Sequence, residues 1–134
     1  MKKPGIKYLI TFTALCVALT SAIAAGSLSD SEKQFLAVYE KARTALAADD
    51  LSGAKAAAND LGSEGADLAK SNSLKEARAA FEKLSDKAKQ LAAGQSGYYV
   101  AHCPMLQKDW VQTSEKIANP YYGKEMAGCG EIKK

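Results

Sequence analysis

This chain of 134 residues holds a single histidine and a single tryptophan, three cysteines and three methionines. That scarcity excludes several chemistries. A structural zinc site wants four nitrogen or sulfur ligands, and His102 with Cys103 and Cys129 cannot supply them without borrowing a carboxylate. No catalytic triad, phosphate-binding loop or haem-attachment motif is present. His102 and Cys103 are neighbours, and adjacent residues of an extended segment point to opposite faces, so they are poorly placed to share a proton. The chain reads as something other than an enzyme.

A surplus of one charge sign is also missing. Lysine and arginine total 18 against 15 acidic residues. Lys2, Lys3 and Lys7 account for the difference, so 15 of each sign remain once they are set aside. A basic surface for nucleic acid therefore has no basis here.

Long apolar runs are confined to the start. Tyr8 to Ile23 is apolar or small, follows the three lysines, and ends in Ala22-Ile23-Ala24, a small-x-small cleavage pattern. Residues 1–24 read as a signal peptide and 25–134 as one exported domain, periplasmic or secreted, with no stable membrane insertion after cleavage. An uncleaved anchor would want about 20 apolar residues and no small-residue exit. Cys16 follows Leu15, which argues against lipidation. About 110 remaining residues can bury roughly two thirds of their unfolded surface. The two cysteines left, Cys103 and Cys129, would meet a compartment where disulfides form.

Amphipathic helices fill the first two thirds. Ser29-x-x-Glu32 is a capping-box pattern, and Phe35, Tyr39, Ala42 and Leu46 recur at helical spacing over about 31–47. Asp49-Asp50 breaks the pattern, with Asp50 or Ser52 able to cap the next helix. Leu51, Ala54, Ala58 and Leu61 form a weaker stripe that Gly62 and Gly65 interrupt. Ser73-x-x-Glu76 opens the clearest helix, in which Ala77, Phe81, Leu84, Ala88 and Leu91 alternate by four and three before Gly94. No helix of this length stands alone. The expected fold is mainly α: a small up-and-down bundle, followed over 98–134 by an irregular Cys/Met/aromatic tail that can include short strands. Tyr98-Tyr99-Val100 is a candidate strand, Trp110 to Ile117 a short helix or an extended segment, and Asn119-Pro120 a turn.

The tail concentrates what the rest lacks. "YYVAHCPMLQKDW" (98–110) holds His102, Cys103 and Met105, and "GKEMAGCGE" (123–131) holds Met126 and Cys129. Copper(I) prefers thiolate and thioether, with imidazole acceptable. If the tail folds back, Cys103, Met105, Met126 and Cys129 can converge on one ion, with His102 an optional fifth ligand. The alternative is a Cys103–Cys129 disulfide, which would close a loop of about 27 residues and stabilise the fold by roughly 3–4 kcal/mol. The methionines would then be filling, in a helical interaction module whose aromatics contact a partner.

The tail also resembles the signature of an uncharacterised family of bacterial exported domains. That pattern runs Cys-Pro-Met, Trp-Leu, Ile-x-Asn-Pro-Tyr-aromatic-Gly, Met-x-x-Cys-Gly. "ALAADDLSGAKAAANDL" and "EARAAFEKLSD" are similar to its helical stretches, so the likeness covers nearly the whole exported part. The matching positions are Cys103, Pro104, Met105, Trp110, Asn119, Pro120, Tyr121, Gly123, Met126, Cys129 and Gly130. One departure is the short Leu106–Asp109 link, where the family carries a longer glycine-containing insert. The Tyr-x-Cys-Pro-Met elements of heavy-metal-binding modules are similar over a few residues. The family also occurs C-terminal on periplasmic adaptor subunits of heavy-metal efflux pumps. The resemblance thus implies an envelope protein, of unknown function, associated with copper or silver and with such an adaptor or another envelope copper protein as its partner. The expectation is a copper(I) or silver site built from Cys103, Met105, Met126 and Cys129, with Trp110, Tyr121 and Tyr122 shielding it from water.

Overall fold

The structure, a computed structural model, describes residues 26–134; the signal-peptide reading of 1–24 lies outside them. Helix α1 (Asp30–Ala47) begins with the complete capping box: Glu32 N–H donates to the Ser29 hydroxyl, and the Glu32 carboxylate accepts from Ser29 N–H. Asp50 caps α2 (Leu51–Asn59) by accepting from Gly53 N–H at 2.8 Å. After turns through Gly62 and Gly65 comes a single helical turn, α3 (Ala66–Ala69), then α4 (Leu74–Ala92). Ser73 caps α4, but Glu76 reaches back to Asn72 N–H rather than to Ser73, so this second box is not reciprocal. Among the described residues no helix is long and apolar enough to cross a membrane.

The tail contains the short strands allowed for it, and they form a sheet that corrects the expectation of a mainly α chain. Strands β1 (Tyr99–Cys103), β2 (Lys108–Gln112) and β3 (Glu131–Ile132) form one antiparallel sheet in the order β2-β1-β3. The protein is mixed, with four helices and a small sheet among the described residues. Trp110 stands in β2, opposite Ala101, the extended one of the two readings of its segment, and β1 overlaps the candidate strand at Tyr98-Tyr99-Val100. The physical reason is pairing: β3 is two residues long and has no periodicity of its own, and it forms only because β1 offers Ala101 and His102 to Ile132 and Glu131.

Helix α1 packs on α2 and α4, and α4 carries β2. A column of aromatic rings crosses from one half to the other. Phe35 stacks on Tyr39 (centroids 6.3 Å apart) and Tyr39 on Phe81 (4.8 Å); Phe81 meets Tyr121 edge-on (6.0 Å), and Tyr121 meets Trp110 (6.3 Å). The polar tips of these rings are satisfied within the core. The Tyr39 and Ser85 hydroxyls pair at 2.9 Å, Val111 N–H donates to Tyr39 at 3.1 Å, and the Tyr121 hydroxyl donates to Ser85 at 3.2 Å. Burial, above all, pushes both phenols well above their ordinary range.

Candidate functional site

The two cysteines arrive from different strands. Cys103 ends β1 and is fully buried. A four-residue turn, 104–107, then returns the chain as β2, with Cys103 paired to Lys108. Gln107 takes a left-handed backbone (φ 54°) there and its side-chain amide donates to Pro104 O. Cys129 lies just before β3, beside β1. It is held there by backbone and side-chain contacts that the tail makes with itself and with the helices.

Asn119 is the centre of that hold. Its side chain is fully buried and spends every polar atom. Nδ2 donates to Cys129 O at 2.9 Å, and Oδ1 accepts from Tyr121 N–H at 2.8 Å and Tyr122 N–H at 3.3 Å. Its own N–H donates to Ala127 O at 2.7 Å. Two arginines fasten the flanks to the helices. Arg43 of α1 donates to Ala118 O at 2.8 Å, and Arg78 of α4 donates to Pro120 O at 2.8 Å. Arg78 also pairs with Asp49 at 2.6 Å, and Asp49 accepts from Lys124 N–H at 3.1 Å. The hydrogen bond from Arg78 holds the Asp49 carboxyl below the usual carboxylate range. Gln112, also fully buried, accepts from Trp110 Nε1 and donates to Lys116 O, closing the loop after β2.

Two glycines are required by this closeness. Gly123 has φ 66°, and a Cβ there would meet Asp49 Oδ1 at 1.9 Å. Gly130, at φ 144°, lies against the Trp110 ring, where a Cβ would stand 2.8 Å from Cη2 and 3.0 Å from His102 O. Gly130 thereby lets Cys129 come alongside β1.

The result is a cluster of three sulfurs. Cys103 Sγ and Cys129 Sγ are 3.9 Å apart, both as free thiols, and Cys129 Sγ is 3.9 Å from Met105 Sδ. With metal–sulfur bonds of about 2.3 Å, three sulfurs around one ion stand about 4.0 Å apart. A disulfide would need the two Sγ atoms to close to about 2.05 Å. Burial, then the adjacent Cys103 sulfur, push the Cys129 thiol above its ordinary value. Two thiolates in contact are unfavourable unless a cation lies between them.

The other candidates are placed differently. Alternation along β1 turns His102 to the strand face opposite Cys103, where Nδ1 bonds Asp109 Oδ1 at 2.7 Å. Asp109 is shared with Lys133 at 2.9 Å. Burial acts to raise the Asp109 carboxyl, but the Lys133 and His102 contacts outweigh it and hold it low. His102 therefore pairs with Asp109 and does not face the sulfurs. Met126 stands in the 3-10 turn Gly123–Met126 and reaches the site through its backbone, its carbonyl accepting from Cys129 N–H at 2.9 Å. Trp110 and Tyr121 are buried between the tail and the helices, and Tyr122 is half-buried. Among the described residues, no group of three or more histidine, cysteine, aspartate and glutamate side chains converges. A site here depends on thioether.

Comparison of the chain with protein-family models, with curated proteins and with solved structures finds no significant match.

Proposed function

We propose that the reduced protein binds a soft monovalent ion, copper(I) or its congener silver(I), between Cys103, Cys129 and Met105, and serves in sequestration or in delivery to an efflux system of the cell envelope. The observation that carries this reading is the pair of 3.9 Å sulfur contacts that join the end of β1 and the hairpin turn to Cys129, two residues before β3. Thiolate and thioether together select copper(I) over zinc, magnesium or calcium. Met126 is assigned a supporting backbone role, and His102 none. The tail's likeness to efflux-associated domains supports the envelope setting.

The same two thiols, 3.9 Å apart, are also the pair a disulfide would join, and a bridged pair would leave a structural module with no metal. An anaerobic copper(I) competition titration on the reduced protein separates the two readings. One tight equivalent is expected, lost in Cys103→Ser/Cys129→Ser and weakened in Met105→Leu. No uptake, with thiols that reoxidise at once to a bridge, would assign the pair to structure.

A further inference from the structure

We infer that Met105 is the exchange ligand of the cluster: the ion passes directly to an acceptor bearing soft donors, which enters at Met105 while Cys103 and Cys129 still hold the cargo. This rests on the soft-metal reading above. Three observations point to it. First, the three sulfurs run from inside to outside, with Cys103 at 0% exposure, Cys129 half-buried and Met105 at 63%. Met105 is the large apolar side chain that stands exposed among the described residues.

Second, the ligands differ in how firmly they are held. Cys103 is fixed in a paired strand, and Cys129 by Asn119 and by Met126 O. Met105 sits on the hairpin turn, on an unbranched side chain with three rotatable bonds. Third, they differ in charge. A thioether is neutral and gives up a cation more easily than a thiolate does. A side chain whose apolar surface is left in water, while its sulfur faces a thiol, is poorly explained as core filling. It is well explained as an arm that can swing aside.

The exchange is balanced at each stage. An acceptor sulfur forms one bond to the ion as the Met105 bond breaks, and a three-donor intermediate shared by both proteins results. Cys129 and then Cys103 are displaced in turn by further acceptor donors. The ion stays monovalent throughout. Where the donor that replaces Met105 is a thiol, its proton passes to solvent, because a thioether leaves without one. A thiol that displaces Cys129 or Cys103 gives its proton to the departing sulfur.

The test is stopped-flow transfer from the copper(I)-loaded, reduced protein to bathocuproine disulfonate, a coloured copper(I) chelator, at increasing chelator concentrations. The rate should rise in proportion to chelator. Met105→Cys, which replaces the labile arm with a third thiolate at an exposed position, should slow transfer by about tenfold or more at unchanged stoichiometry. Met105→Leu should speed it. A rate independent of chelator concentration would mean that the site must open before transfer, and would overturn the inference while leaving the metal site intact. Equal rates for wild type and Met105→Cys would overturn it as well. Failure of the wild type to form a one-to-one copper(I) complex would remove both this inference and the reading beneath it.

Discussion

The helical part, residues 30–92, and the tail, 98–134, are held together by different means. The helices bury stripes of alanine, leucine and aromatic side chains, and their polar groups are satisfied locally by backbone bonds and caps. The tail buries few aliphatic residues. It is shaped by single polar side chains that each reach several backbone groups: Asn119, Gln112, Arg43 and Arg78. A stripe tolerates moderate change because hydrophobic packing is non-directional. A hub does not, because removing it leaves several buried donors and acceptors unpaired. Precise placement of a few sulfurs belongs with the second kind of construction.

The ring column joins the two regions, so the largest effect is expected where it crosses. Phe81→Ala removes a fully buried ring touching Tyr39 on one side and Tyr121 on the other. A loss of about 3–5 kcal/mol is expected, measured by denaturant unfolding with helix and tail signals falling together. Two separate transitions would break the picture of one cooperative unit.

A smaller, differently distributed effect is expected at the hub. Asn119→Ala should cost about 1–3 kcal/mol and weaken copper(I) binding, because Cys129 O loses its donor and the Tyr121 and Tyr122 amides lose their acceptor. Far-UV helicity should stay near wild type. Copper affinity unchanged in this variant would mean that Asn119 does not position Cys129.

The smallest effect is a pH dependence. The Asp49 carboxyl is held low in the folded protein, chiefly by Arg78 and then by Lys124 N–H. Its folded value lies below its unfolded one. The contribution is therefore complete above the ordinary carboxylate range, near 3.9, and fades as pH falls through the folded value. Asp49→Asn keeps a side chain that tolerates the left-handed backbone at this position (φ 57°). The variant should lose stability less steeply on acidification than wild type, as read by thermal unfolding at successive pH values. Parallel profiles would show that the Arg78 contact carries no charge-dependent stability.

Much of the helical part is legible in the amino-acid order. Phe35, Tyr39, Ala42 and Leu46 mark the buried face of α1 and Ala77 to Leu91 that of α4, and the Ser29 and Ser73 caps and Gly94 place the ends within a residue or two. Caps and periodicity are local, so they can be read locally. The sheet is not local. Lys108–Gln112 alternates poorly because Trp110, Val111 and Gln112 are all buried, and β3 is too short to signal anything. Cys103, Met105 and Cys129 stand out as candidates by residue chemistry alone, being scarce types in one tail, and the structure brings their sulfurs into contact. Their supports are not. A buried asparagine or arginine looks in sequence like any surface residue, and its role appears only when its partners are in place. Sequence proximity misleads for His102, which strand alternation carries away from Cys103, and it does not announce that the Met126 carbonyl accepts from Cys129 N–H.

Whether two distant stretches bring three sulfurs onto one ion is tested most directly by X-ray absorption at the copper edge of the copper(I)-loaded, reduced protein. The expected first shell holds three sulfurs and no nitrogen, and falls to two sulfurs in Met105→Leu. A shell containing imidazole nitrogen, or one indifferent to Met105, would contradict the three-sulfur site.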